Sequence, residues 1–382
     1  MSVNTDAKVA NPLVELQAHG QSVWLDNISK AVLDSGELKR LIEEDGLRGV
    51  TSNPTIFEKA INGSQDYDAA LRRLALEGRS VEEIYESLVI DDIQRATDLF
   101  RPLFRETRGL DGYVSLEVSP KLANATQRTL DEARRLWKQV DRPNVMIKVP
   151  ATPEGIPAVE QLIAAGINVN VTLMFSMDHY IRVAEAYVRG LEARARSGKS
   201  LAVASVASFF VSRVDTLVDK QLDERLGSTK SASEKQELHS LLGKTAIANS
   251  RLVYQKFKEI FSRSNFTALK EKGAQVQRPL WASTSTKNPA YRDVLYAEEL
   301  IGPDTVDTMP PATIDAFRDH GRVRASLEES LPEAKAIFSR LAAVGIDTGA
   351  STEKLQVDGV KLFADSFDTL MKALAAKRQV VS

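Results

Sequence analysis

Short apolar runs rich in β-branched residues recur along this chain, each ending in a polar cluster. They are SVWLDN (22–27), LRGVTSNPT (47–55), GYVSLEVS (112–119), NVMIKVPA (144–151), INVNVTLMFS (167–176), LAVASVASFF (201–210), RPLWASTST (278–286) and DTVDTMPPAT (304–313). Runs of this kind suit strands buried on both faces, as in a parallel sheet. Helical signals fill the gaps. Ser35 precedes ELKRLIEED, with Gly46 as its C′ residue, and Ser80 with Glu83 predicts a capping box ahead of VEEIYESLVIDDIQRATDLF. GIPAVEQLIAAG ends on Gly166, and Ser176 precedes MDHYIRVAEAYVRGLEARA. Asn288-Pro289 opens a predicted helix AYRDVLYAEELIG, with Gly302 beyond its last turn. Ser233 and Gln236 predict a cap for a helix running towards Phe261, and Ser326 with Glu329 predicts another capping box.

Several strand-to-strand intervals are about 25–35 residues, the length of one strand plus one crossover helix. Residues 56–111 and 214–277 are longer gaps and read as extra helices, because the strand series resumes after each. Eight alternating βα units predict the α/β class and a closed (β/α)8 TIM barrel, with an open doubly wound sheet as the alternative. The extra helices then follow strands 2 and 6, and a helical extension follows the barrel. The expectation is a single domain over residues 1–382, with a barrel core at about 20–320. C-terminal helices at 326–382 are expected to pack across the barrel exterior or over its mouth.

Composition narrows the functions. The chain is 43% hydrophobic, and its 50 Lys and Arg balance 52 Asp and Glu, so no nucleic-acid partner is expected. There is no cysteine, which excludes disulfides, thiolate metal sites and a Cys nucleophile. His19, His179, His239 and His320 stand singly, so no His-rich metal site is expected. The opening MSVNTDAKVANPL lacks the apolar stretch of a signal peptide, and no run of about 18 apolar residues follows. The chain therefore reads as cytoplasmic, with no membrane span.

In a (β/α)8 barrel the reactive side chains stand where strands end and the βα loops converge. Those ends supply Asp26, Asn53, Glu117, Lys148, Asn170 with Thr172, Ser208 with Arg213, then Ser283, Ser285 and Lys287. Acids, amides, hydroxyls and cations on one rim suit covalent and acid–base chemistry without a bound ion or cofactor. Lys148, inside MIKVPA, is the most telling. A lysine withdrawn from water more readily offers the neutral amine that attacks a ketone, and the imine so formed is an electron sink for C–C cleavage. The alternative is a Lys whose head reaches the strand end and meets a carboxylate. Asp26 and Glu117 are candidate proton carriers; a turn cap and an ordinary buried ion pair with Lys148 are their alternatives. Arg213 and Lys287, with Ser283 and Ser285, would bind a phosphate monoester, unless they are solvated surface cations. No GxGxxG or GxxxxGKS/T follows any strand, so nothing supports nucleotide binding.

TSNPTIF (51–57), SLEVSP (115–120), MIKVPAT (146–152), NVTLMFS (170–176) and WASTSTKNP (281–289) together resemble the transaldolase family, in its longer bacterial-type branch, over roughly residues 15–320. The resemblance implies a Schiff base on Lys148 and an acid/base role for Asp26 at the substrate C4 hydroxyl. Glu117 and Thr172 match residues that hold a catalytic water, and Asn53 and Asn170 match binders of substrate hydroxyls. Ser208 and Phe210 match the substrate pocket, and Arg213 the phosphate-binding arginine. Lys287 stands near the position of a second arginine in other branches. The implied reaction moves a dihydroxyacetone unit from sedoheptulose 7-phosphate or fructose 6-phosphate to glyceraldehyde 3-phosphate or erythrose 4-phosphate, in the non-oxidative pentose phosphate pathway. No cofactor is implied; sugar phosphates are the partners, and the chain would act as a monomer or homodimer. The related fructose-6-phosphate aldolases, which release free dihydroxyacetone, look different at two positions: Glu117 would be Gln and Phe210 would be Tyr. A catalytically dead barrel acting as a binding protein is the remaining alternative, and the presence of Asp26, Glu117 and Lys148 counts against it.

Overall fold

A computed structural model describes residues 11–381 of the chain. Most of the N-terminal stretch that lacks a signal-peptide pattern lies outside those residues. Among them, eight parallel strands pair in chain order and close on themselves: β1 (Gln21–Leu25), β2 (Gly49–Val50), β3 (Tyr113–Glu117), β4 (Val145–Pro150), β5 (Val169–Met174), β6 (Ser205–Phe210), β7 (Arg278–Ala282) and β8 (Thr305–Met309). β8 pairs with β1 from Gln21↔Thr305 to Leu25↔Met309, so the sheet has no free edge. The closed (β/α)8 barrel is the predicted architecture, and each apolar run supplies its strand. Where β3, β4 and β5 run side by side, Glu117 lies opposite Lys148 and Lys148 opposite Asn170. A row of functional groups is thus set by register alone.

β2 is shorter than the run 47–55 predicts. The Trp24 indole of β1 lies against Gly49, where an added Cβ would stand 2.5 Å from the ring. Asn53 leaves the strand to become the N-cap of helix Pro54–Asn62, accepting from Ile56 N at 3.0 Å, with Pro54 in the first turn.

Helices fill both long gaps as expected. Val81–Glu106 starts on the predicted capping box, with Ser80 and Glu83 bonded reciprocally. Gly166 ends Gly155–Ala165 in the left-handed conformation, and Ser176 caps Met177–Arg196. Four helix boundaries differ. Ser35 falls between two short helices, Lys30–Asp34 and Glu37–Glu44, although Gly46 takes its left-handed place beyond the second. Ser231 rather than Ser233 caps Ala232–Leu241, and the chain breaks before Thr245–Phe261, where Gly243 has φ +68 and Asp219 takes its N–H. No helix starts at Asn288-Pro289. Asn288 turns back to bond Ala290 N, Tyr291 is held by Asp219, and only Leu295–Glu299 is helical. Ser326 forms no capping box: its hydroxyl donates to Glu298 O and accepts from Ile301 N, and the helix begins later, at Leu331–Ala343.

The terminal helix, Thr348–Val381, packs on Pro54–Asn62, on the end of β5 and on helix Ser212–Ser228. Of the two placements the sequence left open, this is the one over the mouth. At the opposite face, Asp111 accepts from Arg278 at 2.9 Å and from Ser22 at 3.0 Å, with Arg48 3.4 Å away, which plugs the barrel floor with paired charge. Among the described residues no helix is long and apolar enough to cross a membrane.

Candidate active site

The C-terminal strand ends form a funnel with Lys148 at its base. The Lys148 side chain emerges from β4 between β3 and β5, and the residue is only 4% exposed. Its Nζ donates to Ser52 O at 3.0 Å and lies 3.5 Å from Glu117 Oε2. The second distance is an ion-pair contact rather than a short charge-assisted hydrogen bond. Burial pushes the Glu117 carboxyl up to about 7, against the pull of Lys148. A carboxyl poised there is placed to take or give a proton near neutral pH. Glu117 Oε2 and Thr172 Oγ1 are both buried without a hydrogen-bond partner among the described residues. A buried polar atom left so costs about 1–3 kcal/mol, and in a folded protein such atoms concentrate where function uses them.

Asp26 follows β1 on the same rim. It is half-buried, and Thr51 Oγ1 donates to it at 2.6 Å while bonding Thr308 Oγ1 at 2.7 Å. Burial raises the pKa of its carboxyl, opposed first by the charge of Lys148, then by Thr51, Arg213 and Lys287. Its side chain accepts from a side-chain hydroxyl rather than from a turn's backbone, so the turn-cap alternative does not describe it.

A polar chain links β6, β5 and β3 at the level of Lys148. Ser208 Oγ donates to Asn170 Oδ1 at 2.7 Å, and Asn170 Nδ2 donates to Ser115 Oγ at 2.9 Å. Asn170 therefore has its oxygen committed and one N–H left to offer. Asn53 has spent its oxygen on the helix cap, which leaves its amide nitrogen. Phe210 packs 5.1 Å from Phe175, and the Arg213 guanidinium stacks 5.0 Å over the Phe210 ring. Burial lowers the Arg213 pKa and the nearby Asp26 opposes it; a guanidinium stays charged regardless.

The third strand-end group is arranged less openly. Ser283 sits at φ +59 with its hydroxyl 2.9 Å from Ser212 Oγ, and Lys287 Nζ donates to Ser285 Oγ at 2.6 Å. Lys287 is exposed at the rim, although burial of its head and the charge of Arg213 still lower its pKa. Every sequence-predicted residue thus lies on one face of the barrel. Lys148, Glu117, Thr172 and Asp26 form its inner group; Arg213, Phe210 and Lys287 form one wall. Among the described residues no cluster of three or more His, Asp or Glu could hold a metal ion.

Sequence reasoning missed the groups from outside the strand ends. Ser52 contributes a backbone carbonyl, and Gln356, Gly359 and Phe363 arrive from the terminal helix. Lys148 Nζ stands 5.9 Å from the Phe363 ring centroid. A cleft of about 320 Å³ approaches from the side, with Ser52, Asn53 and Glu117 at its inner end and Tyr85, Phe367 and Met371 along it. Its lining includes neither Lys148 nor Asp26, so it is an approach to the site rather than its seat.

Comparison with known proteins agrees with this geometry. Residues 23–374 match the family described as Transaldolase/Fructose-6-phosphate aldolase. A protein from Thiobacillus denitrificans named Transaldolase is 51% identical over 353 residues, which span 92% of this chain and 96% of the relative. One from Trichodesmium erythraeum with the same name is 48% identical over 372 residues, 97% of this chain and 98% of the relative. A third, from Mycobacterium bovis and also named Transaldolase, is 45% identical over 370 residues, 96% of this chain and 97% of the relative. With a buried amine 3.5 Å from a carboxylate at the strand ends, and likeness along nearly its full length, the chain belongs to the transaldolase/fructose-6-phosphate aldolase family.

Proposed function

We propose that this chain is a transaldolase, carrying a dihydroxyacetone unit from sedoheptulose 7-phosphate or fructose 6-phosphate to glyceraldehyde 3-phosphate or erythrose 4-phosphate. The observation that carries the reading is the Lys148 amine: it is buried and held at 3.0 Å by Ser52 O, and it has a carboxylate only 3.5 Å away. The relatives' name, Transaldolase, supports transfer as the reaction.

Lys148 attacks the donor ketone at C2. Glu117 and Thr172 hold the water that shuttles protons while the carbinolamine loses water, a role suited to two buried oxygens without a hydrogen-bond partner among the described residues. Asp26 then takes the proton of the C4 hydroxyl as the C3–C4 bond breaks. The nitrogen draws in the electron pair, and the three-carbon fragment stays bound as an enamine until an aldehyde phosphate arrives. Asn53 and Asn170 hold substrate hydroxyls with their free amide protons, and Ser208 orients Asn170. Phe210 lines the pocket and carries Arg213, which binds the phosphate, with Lys287, Ser283 and Ser285 beside it. The reaction as drawn needs no cofactor, because the imine is itself the electron sink. Phosphorylated sugars are retained inside cells, which supports a cytoplasmic place of action.

Borohydride reduction during turnover of fructose 6-phosphate tests the assignment. A reduced three-carbon adduct is expected on the peptide containing Lys148, and none in Lys148→Arg, whose guanidinium does not act as a nucleophile. An adduct on a different lysine of active enzyme would refute it. Free dihydroxyacetone formed in place of transfer product would make the chain an aldolase instead.

A further inference from the structure

The terminal helix lays one face on the barrel mouth. Gln356 Nε2 donates to Ala151 O at 3.0 Å and to Leu173 O at 2.9 Å, which ties together the ends of β4 and β5. Leu173 is itself held at φ +62, so Gln356 secures a carbonyl at a strained point of the rim. One turn later the helix passes so close that a Cβ on Gly359 would stand 2.8 Å from Leu173 Cδ2 and 3.9 Å from Arg213 Nη1. Phe363 follows, 3% exposed, with its ring over Lys148 Nζ. Beyond it Ser366 bonds Thr55 Oγ1 at 2.8 Å, and Phe367 meets Tyr85 edge-to-face at 5.4 Å. Fixed on both sides, the Phe363 ring is not a casual neighbour of the amine.

We propose that Phe363 is a specificity-determining residue: its ring roofs the Lys148 nitrogen and keeps bulk water from the enamine formed there. The proposal rests on the Schiff-base reading above. Once C3–C4 has broken, the electron pair of the enamine carbon has two fates. It attacks the carbonyl carbon of the acceptor aldehyde, whose oxygen takes up a proton, and a new C–C bond forms. Alternatively it takes a proton itself. Water then adds to the imine carbon, the C–N bond breaks, and dihydroxyacetone leaves with Lys148 restored as the amine. Both routes end with water hydrolysing an imine to free Lys148, but only in the second does the enamine carbon take a proton before the acceptor arrives, so a dry apolar roof favours transfer. The aromatic face also suits the positive charge of the protonated imine, without offering it a proton or a nucleophile.

The measurement is the ratio of free dihydroxyacetone to transferred product, with fructose 6-phosphate and erythrose 4-phosphate as substrates for the full chain. Phe363→Ala is expected to raise that ratio by about tenfold or more while borohydride still traps the fragment on Lys148. Phe363→Leu, which restores an apolar cover, should stay near the parent ratio, and Phe363→Gln, similar in size but polar, should behave as the alanine variant does. If Phe363→Ala does not fold, the leucine and glutamine variants carry the comparison. Equal ratios for parent, leucine and glutamine enzymes, with activity merely scaled down, would mean that Phe363 only supports the fold. A parent enzyme that yields no adduct on Lys148 would instead overturn the Schiff-base reading itself.

Discussion

A carboxylate beside a buried amine serves chemistry only if the pair does not settle into a tight salt bridge. Glu117 and Lys148 avoid this: the contact is 3.5 Å, and Ser52 O rather than the acid accepts the amine's hydrogen bond at 3.0 Å. Asp26 has a different environment, a direct bond from Thr51 and the field of three cations. Two acids in two settings are suited to two steps. In Asp26→Ala the imine should form while C3–C4 cleavage fails, so borohydride traps the intact donor on Lys148. In Glu117→Ala, imine formation itself should slow, by roughly a hundredfold to ten-thousandfold for a lost acid–base group, and little of either adduct is trapped. Mass spectrometry of the reduced protein reads the difference. The same adduct at the same rate from both variants would show that the acids do not divide the work.

At the scale of elements, the shortest strand depends on one close approach. Gly49 has no side chain because the buried Trp24 indole occupies that space, and no flexible atom can give way. Gly49→Ala is therefore expected to destabilise the barrel by about 1–3 kcal/mol, the usual range for overpacking, read as an earlier midpoint in urea unfolding. An unchanged midpoint would show that the indole moves at little cost. Elements were legible from the sequence where their determinants are local. Ser80 and Glu83 announce their helix because both partners of the capping box lie within one turn. Ser326 and Glu329 have the same pattern and form no box, because Glu298 and Ile301, brought near only by folding, claim the Ser326 hydroxyl. The site divides in the same way. Lys148, Glu117 and Asn170 could be read together because strand ends and parallel register put them in one row. Gln356, Gly359 and Phe363 could not, since in sequence they are ordinary positions of an amphipathic helix whose landing place no local pattern records.

For the molecule as a whole, the interior holds acids outside the active site that are far from their ordinary state. Burial pushes Asp307 up to about 7, Asp215 to about 7 and Asp92 to about 6. In each, the folded protein keeps a proton that the unfolded chain, near the ordinary carboxylate value of 3.8, has already lost. The unfolded state binds fewer protons through that window, so stability falls as pH rises. The contribution is complete below the unfolded value and is lost as pH passes the folded one. Asp307, with one oxygen bonded by Thr284 at 2.8 Å and the other unpartnered among the described residues, is the cleanest test. Asp307→Asn should flatten the fall of stability between about pH 4 and pH 7, where one such group is worth about 1.4 kcal/mol per pH unit. Parallel pH profiles for parent and variant would show that this carboxyl does not titrate there.

The order in which the chain is made gives the terminal helix one more consequence. Lys148, both acids and every barrel strand precede residue 348, so a ribosome has delivered all of them before it reaches Gln356 and Phe363. The eight strands and Lys148 are therefore all made before the helix that packs over the mouth. On the roles proposed above, competence to transfer arrives with the last part of translation. On those proposed roles, a chain cut short after the barrel would carry the nucleophile without its cover, and any enamine it formed would be lost to water.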